Sequence, residues 1–484
     1  MAKNQNIPHH SAENTAIELF GLNQCDIQTI STQFVKNGPM IIHVTLKPDN
    51  RECTRCHHKE PKISNYVDKM ITHEALRNHN CLVHYRARRY KCPVCGKTYY
   101  ERNPFVFKKE KITYVTVMNI LEDLRDPGKT FSSVARDYHL SPTTVQNIFD
   151  RHVQIPRATR LPRVLQIDET YSFKSEKSKF VCMLLDYDSQ TAVDLLPSRR
   201  KDDLLAYFSS FPKKERQKVK YIATDMYRTY YDVCRKMFPH AIYAVDRFHV
   251  MQEFMRKYSA VRIRVMKGTQ YGSDEYYLLK HQFHLLNLPD DAKEGRKKPG
   301  SRNTKEDDRK RVFDEAGEKF YNRQFKCHMN KYELRQLLLS IDPQINEIYE
   351  LRNELSDFFR KRTVEDAAEH LNKIIAKLNA SGIQEMNQFA ETVIRWYQEI
   401  LNSFHIVKTD YIVSRKDGSV RRKDYRLTSS MIENRNKIVK QIKNNANGYT
   451  NWQRFRNRVL YVLNKVPYRL EPIEDVENKD KQRK

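Results

Sequence analysis

No stretch of this sequence approaches the ~18 consecutive apolar residues that a membrane span requires, so no transmembrane helix is expected. The opening residues, MAKNQNIPHHSAENTAIELF, lack the charged start and apolar core of a secretory signal. These absences predict a soluble, cytoplasmic protein with no membrane partner. Stable disulfides are rare in that compartment, so the nine cysteines need another role. Glycine is scarce, at 12 of 484 residues, while 39% of the chain is hydrophobic; both favour packed, helix-rich domains, about three on length. Acidic residues are also in short supply. Against 87 Lys and Arg stand 60 Asp and Glu, a net charge of +27 that concentrates polyanions such as DNA or RNA. A solvated basic surface is the plain alternative.

Four cysteines have a pattern. Cys53-Thr-Arg-Cys56 and Cys92-Pro-Val-Cys95-Gly-Lys97 are two CxxC knuckles, each following a β-like or basic run (IIHVTL, RARRYK). A knuckle turn aims two thiolates at one centre, and two knuckles complete a tetrahedral, structural Zn²⁺ site. The long spacing requires an insertion between them. His57 and His58 could substitute as ligands, and a redox CxxC is the rival reading. Cys25, Cys81, Cys182, Cys234 and Cys327 are isolated and read as ordinary buried thiols. Arg86, Arg88 and Arg89, between the knuckles, are candidate phosphate contacts.

Residues 130–152 read as a helix-turn-helix. Val134, Ala135 and Tyr138 share one side of a first helix. Ser141 and Pro142 then supply an N-cap and first helical position for a second, whose inner face is Val145, Ile148 and Phe149. Thr143, Thr144, Gln146 and Asn147 fall near the start of that second helix, where a major groove could be read. A plain helical hairpin is the alternative.

Three acids stand at matching points of an alternating strand and helix pattern. Asp168 ends the apolar run VLQID, Asp225 ends YIATD, and Glu433 opens the basic helix IENRNKIVKQIK. Between the first two lie a predicted hairpin (180–197) and a helix (201–211); a helix (229–238) and the strand AIYAVD follow. This β-β-β-α-β-α-β series is the ribonuclease-H-like order, an α/β core in which Asp168 and Asp225 sit side by side and a later helix brings the third acid. Such carboxylates suit a pair of divalent cations. Asp186, Asp188, Asp194 and Asp246 compete for the role, with Glu169 adjacent, and Asp246 also fits a supporting one. On the helix of Glu433, Ile432, Ile438, Val439 and Ile442 make an apolar side, and Arg435, Lys437, Lys440 and Lys443 are candidate DNA contacts.

The stretches IDETY, TDMYRTYYDVCRKMFPHA, VDRFHV (245–250) and IENRNKIVKQIKNNANGYTNWQRFRNRVL (432–460) resemble the DDE-type insertion-sequence transposases of the ISL-three family. The resemblance spans about residues 40–465. It implies a zinc ribbon, a helix-turn-helix and a ribonuclease-H-like core interrupted by a large α-helical insertion. It implies Asp168, Asp225 and Glu433 as the catalytic triad, holding two Mg²⁺ (or Mn²⁺) ions. Double-stranded DNA is then the partner, as terminal inverted repeats and target, with a homodimer or larger assembly at synapsis. His249, within VDRFHV, is expected to support the site or touch DNA. Serine, methionine and asparagine replace the glycines often found around the last acid.

The domains expected are an N-terminal arm (1–40), a zinc ribbon (41–108), a helix-turn-helix (109–158), the first part of the core (159–250), the helical insertion (251–425), final core helices (426–465) and a disordered tail (466–484). Within the insertion, 293–311 reads as an exposed loop and 412–423 as a hairpin turned at Asp-Gly. Two rivals remain: a domesticated, non-catalytic DNA-binding regulator, and another ribonuclease-H-like nuclease.

Overall fold

The computed structural model describes residues 27–468 except 37, 49–51, 75–79, 102, 108–109, 174–177, 294–309 and 414–419. The interior of the 293–311 loop, the Asp-Gly turn and the tail beyond 468 therefore lie outside the described residues.

The first sheet comprises β1 (Ile27–Phe34), β2 (Met40–Leu46), β3 (Lys62–His73), β4 (Cys81–Lys91) and β5 (Thr98–Tyr100), ordered β1-β2-β4-β3 with β5 beside β4. Every second residue of β2 and most of β4 is buried (Met40, Ile42, Val44; Val83, Tyr85, Ala87), the two-residue period of a half-buried strand. The hairpin β3–β4 is what separates the knuckles. β1 pairs with β2 along its length, so part of the expected N-terminal arm belongs to this sheet.

Three helices follow: α1 (Tyr114–Asp123), α2 (Phe131–Asp137) and α3 (Pro142–His152). Thr113, Thr130 and Ser141 cap them through side-chain oxygens, and Thr130 with Ser133 forms a reciprocal capping box. Their shared core includes Val117, Ile120, Leu121, Val134, Val145 and Phe149. His73 Nδ1 meets Thr113 Oγ1 at 2.9 Å, joining this bundle to the first sheet.

The second sheet contains β6 (Val164–Tyr171), β7 (Phe180–Asp186), β8 (Ala192–Leu196), β9 (Tyr221–Thr224) and β10 (Ile242–Val245), ordered β10-β9-β6-β7-β8. β6, β9 and β10 run parallel, while β7 and β8 are antiparallel. Helix α4 (Lys201–Ser209) connects β8 towards β9, and α5 (Arg228–Met237) connects β9 to β10. Both cover one face of the sheet, and the helices that follow extend the same core. These are α6 (Arg247–Gly268), α7 (Lys331–Leu339), α8 (Pro343–Lys361), α9 (Ala367–Ala380), α10 (Gln384–Arg395) and α11 (Tyr397–Asn402). Ile345, Ile348, Leu355 and Phe358 of α8 and Ala367, Leu371, Ile374 and Leu378 of α9 form buried stripes at helical spacing.

A hairpin, β13 (Ile406–Val413) with β14 (Val420–Arg426), is longer than the expected 412–423; the short ribbon β11 (Phe320–Asn322) with β12 (Cys327–Met329) precedes it. The last helices, α12 (Ser430–Asn445) and α13 (Trp452–Asn464), cover the opposite face of the second sheet. There Ile432, Val439, Phe455 and Val459 meet Val181, Met183 and Leu185. α13 also grips the three-helix bundle. Arg454 forks onto Asp150 and reaches Gln146, Arg458 donates to the carbonyls of Asp126 and Lys129, and Tyr461 Oη donates to Leu121 O. No helix among the described residues is long and apolar enough to cross a membrane.

Candidate active site and zinc centre

β6 runs on to Tyr171, so Asp168 lies within a strand and not at its end, as the apolar run VLQID suggested. The apolar run stops earlier than the backbone pairing, because Glu169–Tyr171 still pair with Phe180–Cys182 of β7. Strand alternation sends Asp168 and Glu169 to opposite faces. Asp168 faces α12: its Oδ2 accepts from Asn436 Nδ2 at 2.9 Å, and its Oδ1 accepts from the Glu169 amide at 2.8 Å. Glu169 faces α5, ion-paired with Arg199 and accepting from Tyr230 Oη at 2.8 Å. Asp225 follows the last residue of β9, where its Oδ1 accepts from Tyr227 N at 3.1 Å.

Asp168 and Asp225 are brought together electrostatically. Burial pushes Asp168 up to about 6 despite the opposing influence of His249. Burial, then the charges of Glu169 and Asp168, push Asp225 up to about 8. Glu433, in the first turn of α12, is raised by burial and by Asp246, against His249 and Lys437. His249 thus lies within electrostatic reach of both Asp168 and Glu433. The three acids do not close into one tight ligand set: among the described residues, only the four cysteines bring three or more ligating atoms within 4.8 Å of one another. Glu433 Oε1, Asn436 Oδ1 and His249 Nε2 are nonetheless buried without a hydrogen-bond partner. An orphaned carboxylate oxygen and an orphaned amide oxygen, beside mutually repelling acids, form a donor set that suits a hard divalent cation.

Asp246 holds the third acid's helix in place. It caps α6 through Phe248 N at 2.7 Å, and its other oxygen accepts from Thr428 Oγ1 at 2.7 Å and from Ser429 N. Gln166 of β6 donates to Thr428 O from the far side. The competing acids have structural work: Asp186 orders the β7–β8 turn, Asp188 pairs with Arg163, and Asp194 is buried under Arg456 and Tyr207. Asn436 is a functional contact that nothing in the motifs marks. Its signal was a polar residue on the apolar stripe between Ile432 and Val439.

The cysteine knuckles meet as expected. Cys53 Sγ lies 3.5 Å from Cys95 Sγ, and Cys56 Sγ 3.5 Å from Cys92 Sγ. Gly96 takes φ +70° just past the second knuckle, and His57 takes φ +57° at the equivalent place in the first. Backbone amides, led by that of Cys56, pull the Cys53 thiol down, while the neighbouring thiols Cys92 and Cys95 push Cys56 up. His57 instead lies 3.7 Å from Glu52, outside the sulfur cluster. The set is four cysteines, suited to zinc.

The candidate DNA contacts divide. Arg88 is corrected: it is buried, ion-paired to Glu101 at 3.0 Å and bonded to the Leu46 carbonyl, so it cannot reach a phosphate. Arg86 is exposed and stacked on Tyr66, and Arg89 lies beside Tyr100. Thr143 and Asn147 are exposed on α3, whereas Thr144 bonds the Ser141 cap and Gln146 is held by Arg454. Lys437 and Lys440 are exposed. Arg435 donates to Gln190 O at 3.0 Å, and Lys443 lies over Tyr171; both are half-buried.

Residues 165–413 match the family model described as transposase, of DDE type in the ISL3 family, about half of the chain. The chain belongs to the ISL3 (ISL-three) transposases. Residues 101–153 match the helix-turn-helix domain of transposase family ISL3, the segment that holds α1–α3. A relative from Bordetella parapertussis, the transposase for insertion sequence element IS1001, is 21% identical over 422 residues, 86% of this chain and 89% of that protein. The ISL3 transposase match includes Asp168, Asp225, Asp246 and His249; Glu433 lies beyond its end.

Proposed function

We propose that this ISL3 transposase binds the terminal inverted repeats of its own insertion sequence and cuts and rejoins DNA strands there, with Asp168, Asp225 and Glu433 as the catalytic acids. What supports this reading is that the charge of Asp168 on β6 is felt by Asp225 after β9, and that His249 is felt by both Asp168 and Glu433 of α12. The order β-β-β-α-β-α-β, with its central parallel pair, supports a ribonuclease-H-like core, and the helices from α6 to α11 form its insertion. The cytoplasm is the expected setting.

Asp168, Asp225 and Glu433 would hold two Mg²⁺ or Mn²⁺ ions, which when bound would lower the pKa of water or a hydroxyl and stabilise a leaving oxygen. Asp168 is positioned by Asn436, and Glu433 by the grip of Asp246 on Thr428 and Ser429. In the first reaction water adds to phosphorus and the P–O3′ bond breaks, leaving a 3′-hydroxyl and a 5′-phosphate. In the second, that hydroxyl attacks a target phosphodiester, forming a new P–O3′ bond and releasing a target 3′-hydroxyl. Zn²⁺ on Cys53, Cys56, Cys92 and Cys95 would fix the first sheet, whose Arg86 and Arg89 contact phosphates. Thr143 and Asn147 would read bases, while Lys437 and Lys440 hold the backbone near the acids. Joining two ends calls for a dimer or larger assembly.

The test is cleavage and joining of a plasmid carrying the gene's own flanking DNA, in Mg²⁺, Mn²⁺ or EDTA, by wild type and Asp225→Ala. Metal-dependent cutting at the flanks, lost in the variant, is expected. Specific binding without cutting by either protein would replace this reading with that of a regulator.

A further inference from the structure

The cavity that opens at Asp225, Glu169 and His249 continues well past the acids, as a chamber of about 630 Å³ beneath α6 and the helical turns at 278–287. That volume lies in the ~300–1,000 Å³ range of sites that enclose a small ligand. Tyr227, Met255, Phe283 and Leu286 give it apolar and aromatic walls. At the far side, the Arg262 guanidinium sits 4.4 Å from the Phe283 ring centroid and donates one bond, to Leu279 O at 2.6 Å. Its Nε is buried and unbonded. Burial lowers its pKa. The nearby Glu253 is engaged by Arg256, at 2.7 Å. A planar cation that remains charged, stacked on a phenyl ring and short of acceptors, suits a flat ligand that carries acceptor oxygens.

We propose that this chamber receives one unpaired nucleotide of the DNA strand being processed, its base against Tyr227 and Phe283 and an acceptor oxygen on Arg262. The inference rests on the strand-cleavage reading, which places a phosphodiester at the chamber mouth. A nucleotide next to that phosphate has only to turn inward. Stacking on the aromatic walls, with Arg262 adding to it, offsets the cost of unstacking the nucleotide.

The test uses the full-length protein and a duplex from the gene's flank. Single nucleotides around the cut site are replaced in turn by 5-iododeoxyuridine, and Ca²⁺ replaces Mg²⁺ during irradiation. One position is expected to cross-link to Tyr227 or to a peptide within 249–287. An abasic nucleotide at that position should slow wild-type cutting by about 10-fold, a change of about 1.4 kcal/mol. Arg262→Gln should slow it similarly with unchanged DNA affinity and melting temperature, and the two changes together should be no worse than either alone. Wild-type cutting with cross-links confined to other regions would overturn the chamber proposal alone. Absence of any wild-type cutting in Mg²⁺ or Mn²⁺ would reject the strand-cleavage reading, and the chamber with it.

Discussion

Asn436 donates its side-chain amide to Asp168 Oδ2 at 2.9 Å, so the helix that carries Glu433 is bonded directly to the strand that carries the first acid. Asn436 stands three residues after Glu433, on the same side of α12. Removing it leaves Asp168 free to turn and empties a polar contact in a buried seam. Asn436→Ala should cut strand cleavage by roughly 10-fold and raise the Mg²⁺ concentration needed for half-maximal rate, with DNA affinity unchanged. A metal titration of the cleavage rate checks this; an unaltered titration curve would show that the contact has no catalytic consequence.

Asp246 offers a second handle on the same helix. Its buried carboxylate accepts from Phe248 N, Thr428 Oγ1 and Ser429 N, and so ties the start of α6 to the approach of α12. Asp246→Ala would strand the Ser429 amide and remove a helix cap, costing roughly 2–4 kcal/mol of stability by urea unfolding. Asp246→Asn keeps the shape and should lose less stability than the alanine variant. Equal losses in the two would mean that hydrogen bonding is not what Asp246 contributes.

The acids predict a pH dependence with a definite sign. Asp168 is raised to about 6 and Asp225 to about 8, both above the ~3.9 of an unfolded aspartate. The folded chain therefore holds these protons longer than the unfolded chain does. Their contribution to stability is full below about pH 4 and is lost as pH rises through about 6 and then about 8. In EDTA, Asp225→Asn should become progressively more stable than wild type between about pH 4 and about pH 8. Added Mn²⁺ should narrow that gap by stabilising wild type. Melting temperatures across pH would show it, and a gap that stays flat would contradict it.

Zinc should matter locally. The sheet β1–β5 has its own core, separate from that of the second sheet. One zinc per chain is expected by elemental analysis. Chelation, or Cys92→Ser, should abolish amide-exchange protection in β3 and β4 and weaken DNA binding, while β6–β9 stay protected. Loss of protection throughout the chain would instead make the zinc a global determinant.

Much of this architecture is legible where its cause is local. The knuckles follow from CxxC spacing and a glycine that takes a left-handed turn. The helices α2 and α3 follow from Thr130 and Ser141 as caps, with Pro142 at the first helical position. Strand order around Asp168 and Asp225 follows from short apolar runs separated by helical ones. What escaped depends on distant partners. RARRYK reads as a basic patch, yet Glu101 and the Leu46 carbonyl hold Arg88 buried, against the alternation of its strand. VLQID reads as a strand ending at its aspartate, but β7 holds Glu169–Tyr171 in register beyond it. Asn436 looks like one more polar residue on a basic helix until Asp168 arrives from 268 residues away.

The grip of α13 on the three-helix bundle has a consequence for the order of events during synthesis. Tyr461 enters the bundle core and bonds the carbonyl of Leu121, 340 residues earlier in the chain. Arg458 closes on the carbonyls of Asp126 and Lys129. On the ribosome, α1–α3 emerge long before the residues that complete their packing. On the proposed function, DNA reading is then a competence this chain acquires last. On that same proposal, a message broken anywhere ahead of Trp452 would yield a product compromised in recognition as well as in chemistry, and poorly equipped to occupy the element's ends as a competitor.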